Sequence, residues 1–325
     1  MTLVQKEIKR ITIRPNGTEK QIRPTSRLPA EYQEVEYIKS IYGKNILTGQ
    51  QESTWMDEGN TEYEMEHIQN ATGKLPAMRG LDFIDDDFDG CVDRAIEWHN
   101  KGGIVRIMWH CGPYMIGGYN DCMRKKISDW DALFTPGTEE YDKLIAGFDK
   151  GAAALKELQD AGVPVIWRPF HELDGGWFWW SKGGAENFQK LWRLMYDRYT
   201  NHWGLNNLIW TLGYSQNGLN YADWYPGDEY VDIAGADSYN GGSEPGLFKQ
   251  VEEVVDGKKP ICFHECGTAP TVDQLVTQGT KWAWFMIWHS SWLTDGNSDS
   301  HLNTLYNSDY AITLDDLPDI YAGIE

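Results

Sequence analysis

The chain has 325 residues, of which 49 are acidic and 29 basic. Its net charge of −20 sets it against nucleic acid and anionic membrane, whose phosphates it would repel, and leaves neutral partners such as polysaccharide. No run of 18 apolar residues occurs and Met1 opens a polar segment, so neither a membrane span nor a leader is expected within it, as in a secreted chain whose leader has been removed.

Residues 1–33 are rich in Pro, Lys and Arg without clear periodicity, and are expected to form an N-terminal extension packed on the domain that follows. From 34 to 325, helical patterns alternate with short apolar runs, the rhythm of βα units around a parallel sheet. The runs fall near 45–49, 76–83, 103–109, 163–170, 207–213, 231–238, 260–265 and 283–289, with amphipathic stretches such as 141–161 and 186–203 between them. Eight such strands predict a single-domain α/β fold, a (β/α)8 TIM barrel. An open doubly wound sheet is the alternative, but no G-x-G-x-x-G follows the first strand and no phosphate loop occurs. Chemistry in a barrel collects at the C-terminal strand ends, and Gln50, Asp82, His110, Glu172, Tyr239, Glu265 and Trp288 all fall there.

Five cysteines leave at least one thiol unpaired in a monomer; Cys111 and Cys122 flank a loop and could close a short disulfide, whereas Cys262 and Cys266 are expected to pack as small apolar residues. No H-E-x-x-H or G-x-S-x-G motif is present, and the acidic run at Asp85, Asp86, Asp87 and Asp89 reads as a solvated turn rather than a calcium loop. Neither a metal nor a cofactor is expected.

The most informative stretch is 163–180, VPVIWRPFHELDGGWFWW, where a β-branched run delivers Arg168, His171 and Glu172 to a tryptophan-rich loop. Indole faces stack on the apolar faces of pyranose rings, and a carboxylate beside them can handle a proton at a glycosidic oxygen. A second apolar strand, KPICFHECG at 259–267, ends by presenting Glu265. Strands four and seven face each other across a barrel mouth, the geometry of a glycosidase pair. The aromatic neighbours of Glu172 suit a proton-bearing acid. Glu265 must stay ionised as nucleophile, and Arg168, placed beneath the site, could stabilise it. Tyr239 either covers the rim or donates a hydrogen bond to the nucleophile, and Trp177 can turn back over the leaving-group side. His110 and His171 are either core histidines or part of the site; His264 reads as core.

The segment RPFHELDGGWFWW closely resembles the acid/base signature of glycoside hydrolase family 26, and the resemblance extends over GQQES (49–53), PAMRGLDF (76–83), MWHCG (108–112), DIAGADSYN (232–240), FHECG (263–267) and FMIWH (285–289). It implies a secreted, cofactor-free, retaining endo-β-1,4-mannanase acting as a monomer on mannan, glucomannan, galactomannan or manno-oligosaccharides. It also implies Glu172 as acid/base, Glu265 as nucleophile, and His110, His171, Trp177, Tyr239 and Trp288 lining the subsites beside the scissile bond; Arg168 and Gln50 are further candidates from their strand positions. The sequence departs from the resemblance at His289, where many relatives carry arginine. The alternatives are a mixed-linkage β-glucanase or β-xylanase of the same fold, and a carbohydrate-binding barrel without activity. The HELDGGWFWW loop favours mannan, and the presence of both glutamates favours an enzyme.

Overall fold

The computed structural model describes residues 11–13, 19–21 and 29–321. Eight parallel strands close on themselves: β1 (Ile46–Gln51), β2 (Met78–Asp82), β3 (Ile104–Met108), β4 (Val165–Arg168), β5 (Leu208–Ser215), β6 (Ile233–Ser238), β7 (Ile261–Cys266) and β8 (Trp284–Ile287). Trp284 beside Leu47 through Ile287 beside Gln50 seals the barrel. All eight lie on the apolar runs read from the sequence. Two residues, Ala311–Ile312, add a short parallel pairing to Ile46 and Leu47.

Alternation along each strand makes two packing layers, because successive side chains leave opposite faces. On β4, Val165 and Trp167 pack outward against the helices. Ile166 joins an inner cluster with Leu47, Ile104, Ile209, Ile233, Cys262 and Trp284, and helix α1 (Pro29–Ile41) closes this end of the barrel with Val35 and Ile38. This helix begins inside the segment expected to be an extension. A two-stranded ribbon pairs Ile11–Ile13 with Glu19–Gln21, while the placement of the remaining extension residues lies outside the described residues.

The outer helices follow their sequence signals. The helix at Glu139–Asp160 is capped by Thr138, whose hydroxyl accepts from Tyr141 N, and carries Glu139, Glu140 and Asp142 in its first turn, where the helix dipole favours negative charge. Its Leu144, Phe148, Leu155 and Leu158 are buried against the barrel.

All five cysteines are free and buried, so the disulfide that Cys111 and Cys122 could have closed does not form. Cys111 Sγ turns instead to Met115 Sδ at 3.7 Å and to Trp109 O at 3.8 Å, and both cysteines serve as apolar packing.

Candidate active site

A cleft of about 520 Å3 opens at the C-terminal ends of the strands, with His110, His171, Glu172, Tyr239, Glu265 and Trp288 among its lining residues. Trp177, expected beside the scissile bond, is not among them and instead bonds Glu172; Gln50 and Arg168, expected as substrate contacts, do not reach the cleft either. Both are fully buried; Gln50 Nε2 bonds Gln51 O at 2.8 Å, and it is Gln51, the next residue along β1, that lines the cleft.

Glu265 owes its position to an irregularity in β7. Phe263 pairs with Ala236 but Glu265 pairs with Asp237, so His264 is an extra residue in the ladder. Phe263 and Cys266 pack outward, and the bulge lets both His264 and Glu265 face inward, where strict alternation would send Glu265 to the helices. His264 Nε2 then pairs with Leu212 O at 2.9 Å, in keeping with a core histidine.

Beneath Glu265 lies a buried charge lattice. Arg168 donates from Nη1 to Glu265 Oε1 and from Nη2 to both Asp237 oxygens. Arg106 on β3 places Nη2 3.9 Å from the same Glu265 oxygen and donates from Nη1 to Gln51 Oε1 at 2.6 Å. Tyr239 donates to Glu265 Oε2 at 2.7 Å. Burial alone would raise the Glu265 pKa; the two guanidinium charges and the tyrosine hydroxyl reverse the sign and hold it below the ordinary carboxylate range.

Glu172 stands in the opposite electrostatic state. Burial and the negative charge of Glu265 push it up to about 7, opposed in part by the hydrogen bond that Trp177 Nε1 donates to Oε2 at 2.7 Å. One oxygen from each of Glu172, Asp237 and Glu265 falls within 4.8 Å of the others, a spacing that could hold a cation, but Arg168 already engages two of the three.

The histidines form a chain along one wall. Asp82 accepts from His110 N at 2.9 Å and meets His110 Nδ1 at 2.5 Å, and His110 Nε2 meets His171 Nε2 at 3.0 Å. Burial, then the neighbouring His110 and the buried arginines, hold the His171 pKa well below its ordinary value, so its ring is neutral. Phe178 and Trp180 pack around it, and Trp180 Nε1 bonds His171 O at 2.8 Å. On the other wall His289 lies between Trp288 and Trp55, its pKa lowered to about 4 by burial.

Sequence reading missed Arg106, Asp237 and the rim residues Trp55, Tyr119 and Trp292, which stay 51%, 49% and 43% exposed at the cleft. A signal existed for the first two. Arg106 interrupts the apolar run GIVRIMW much as Arg168 interrupts VIWRPF, and Asp237 ends an apolar strand two residues before Tyr239. No comparable signal marks the rim tryptophans, since packing and stacking roles draw on the same residue type.

The family model of glycosyl hydrolase family 26 matches residues 29–316. Among curated relatives, a mannan endo-1,4-beta-mannosidase of Thermothelomyces thermophilus is 38% identical over 309 residues, covering 87% of this chain and 60% of the relative. Mannan endo-1,4-beta-mannosidase B of Piromyces sp is 35% identical, covering 90% of this chain and 52% of the relative, so the chain spans little more than half the length of these proteins. A ruminal endo-beta-1,4-mannanase superposes with a TM-score of 0.85 at 32% identity, covering 92% of this chain and 70% of that one. A beta-mannanase from a symbiotic protist of the termite Reticulitermes speratus, solved with gluco-manno-oligosaccharide, gives 0.82 at 28% identity, covering 92% of this chain and 97% of that one.

Proposed function

Because this chain belongs to glycosyl hydrolase family 26, we propose that it hydrolyses internal β-1,4-mannosidic bonds with retention of configuration, Glu172 acting as acid/base and Glu265 as nucleophile. The reading is carried by two carboxylates whose oxygens approach within 4.8 Å, one held ionised by arginines and the other pushed up to about 7. A gap this short suits direct attack, whereas an inverting pair stands roughly 6.5–9.5 Å apart to admit water. Glu265 attacks the anomeric carbon while Glu172 gives its proton to the departing oxygen. Glu172, now ionised, then takes a proton from the water that releases the sugar. Trp288 and the exposed rings of Trp55, Tyr119 and Trp292 offer stacking surfaces for a neutral polymer. The names of the relatives favour mannan, and the gluco-manno-oligosaccharide bound to the termite-symbiont enzyme favours glucomannan; galactomannan, with the same β-1,4-mannosidic backbone, is the third substrate proposed. A polymer this large is met outside the cell, so the enzyme is read as secreted, and the reaction calls for neither cofactor nor second subunit.

The test is a pair of variants. Glu265→Ala should lose turnover on every substrate. Glu172→Ala should keep activity on aryl mannosides with good leaving groups, and azide should increase it while yielding a β-glycosyl azide. Identical behaviour of the two variants on an activated substrate, or proton NMR with α-mannose as the first product, would defeat the mechanism.

A further inference from the structure

After Arg168 the chain leaves β4 through two residues in the left-handed region, Phe170 at φ 53° and Glu172 at φ 48°. Side-chain-bearing residues hold such conformations only where their surroundings impose them. On the near side of this turn, Trp180 Nε1 holds His171 O. On the far side the turn is tied to β5: Leu173 N donates to Gly213 O at 3.1 Å, and Ser215 N donates to Asp174 Oδ1 at 2.8 Å.

Two glycines make room for this arrangement. A Cβ at Gly218 would stand 1.5 Å from Asp174 Oδ2, so only glycine lets the segment leaving β5 pass over that carboxylate. A Cβ at Gly175 would stand 2.3 Å from the Trp177 indole, so glycine there lets Trp177 fold back and donate to Glu172. Asp174 Oδ2 is itself buried, and burial raises the Asp174 pKa to about 6 against its hydrogen bonds with Ser215. A carboxylate serving stability alone is poorly placed in such a setting, because burial disfavours its ionised form.

We propose that Asp174 is a positioning residue for the acid/base: by fixing the end of β5 to the Glu172 turn, it holds the Glu172 carboxyl at the leaving oxygen and against Trp177. This rests on Glu172 being the acid. A misplaced acid should matter only where the leaving group needs a proton. Asp174→Ala should therefore lower kcat/KM on mannan on the order of tenfold to a hundredfold. On a dinitrophenyl β-mannobioside, whose phenolate leaves unaided, it should stay within about threefold of the parent. Asp174→Asn, which keeps an acceptor oxygen for Ser215 N, should restore most of the activity on mannan. Equal losses of Asp174→Ala on both substrates would make Asp174 a general support of the fold, and an unchanged rate on mannan would mean the turn holds itself; either overturns the proposal. Should Asp174→Ala fail to fold, Gly218→Ala displaces the carboxylate without deleting it and is read the same way. Glu172→Ala run on the same two substrates separates the readings. If it shows no dependence on the leaving group, the acid assignment fails, whereas dependence in Glu172→Ala without any in Asp174→Ala overturns the positioning role alone.

Discussion

Replacing Trp177 by Phe keeps a ring in the loop and removes one N–H, the donor that meets Glu172 Oε2 at 2.7 Å. That bond favours the ionised carboxylate and so pulls the Glu172 pKa down against burial and the charge of Glu265, the balance of all these standing at about 7. Its loss should therefore raise the pKa. A hydrogen bond to a charged group contributes roughly 1.5–3 kcal/mol net, and about 1.4 kcal/mol corresponds to one pH unit. Because Trp177 is only partly buried, the lower end applies, and an upward move of about one unit is expected. The acid must carry its proton to protonate the leaving oxygen, so activity falls as pH rises through the Glu172 pKa. The alkaline limb of kcat/KM on mannan, a free-enzyme property, should move from near 7 toward about 8 in Trp177→Phe. Titration of the Glu172 side-chain carbon by NMR should move in parallel. An alkaline limb that stays in place, or one that moves down, would refute both the assignment of Glu172 to that limb and the role of the indole N–H.

Arg106→Gln should raise the acid limb of kcat/KM, since Arg106 helps hold Glu265 ionised; activity would then be lost at a higher pH as pH falls, and an unmoved acid limb would count against its electrostatic role. Arg168→Met leaves Asp237 and Glu265 buried without their main cation, and urea denaturation should register a loss of about 3–5 kcal/mol. Glu34, buried in α1 and bonded to Tyr321 at 2.7 Å, is pushed up to about 8 by burial. The folded chain thus binds this proton more tightly than the unfolded one, so stability declines as pH rises between about 4.5 and 8. Glu34→Gln lacks that titration, and its Tm advantage over the parent should widen across the same window; a constant difference would mean that Glu34 does not titrate there.

Strand positions and the two glutamates were legible because they depend on local rules: apolar runs of strand length, turn residues between them, and a carboxylate at a strand end. The family resemblance rests on the same contiguous residues. Local alternation, however, misreads how both glutamates reach the cleft. Glu172 lies beyond β4 in a left-handed turn, and Glu265 faces inward because of the bulge at His264, neither of which a period of two can express. The opposed protonation of the pair was foreshadowed by the aromatic loop and Arg168, but most of the groups that enforce it were decided by tertiary structure. Arg106, Arg168, and the Asp237–Tyr239 pair come from three separate segments, and closing the barrel brings their charges and hydroxyl to bear on Glu265, while Glu172 receives the Trp177 N–H. A pKa is set by the field of every group nearby in space, and a linear chain does not state which groups those are until the strands have closed.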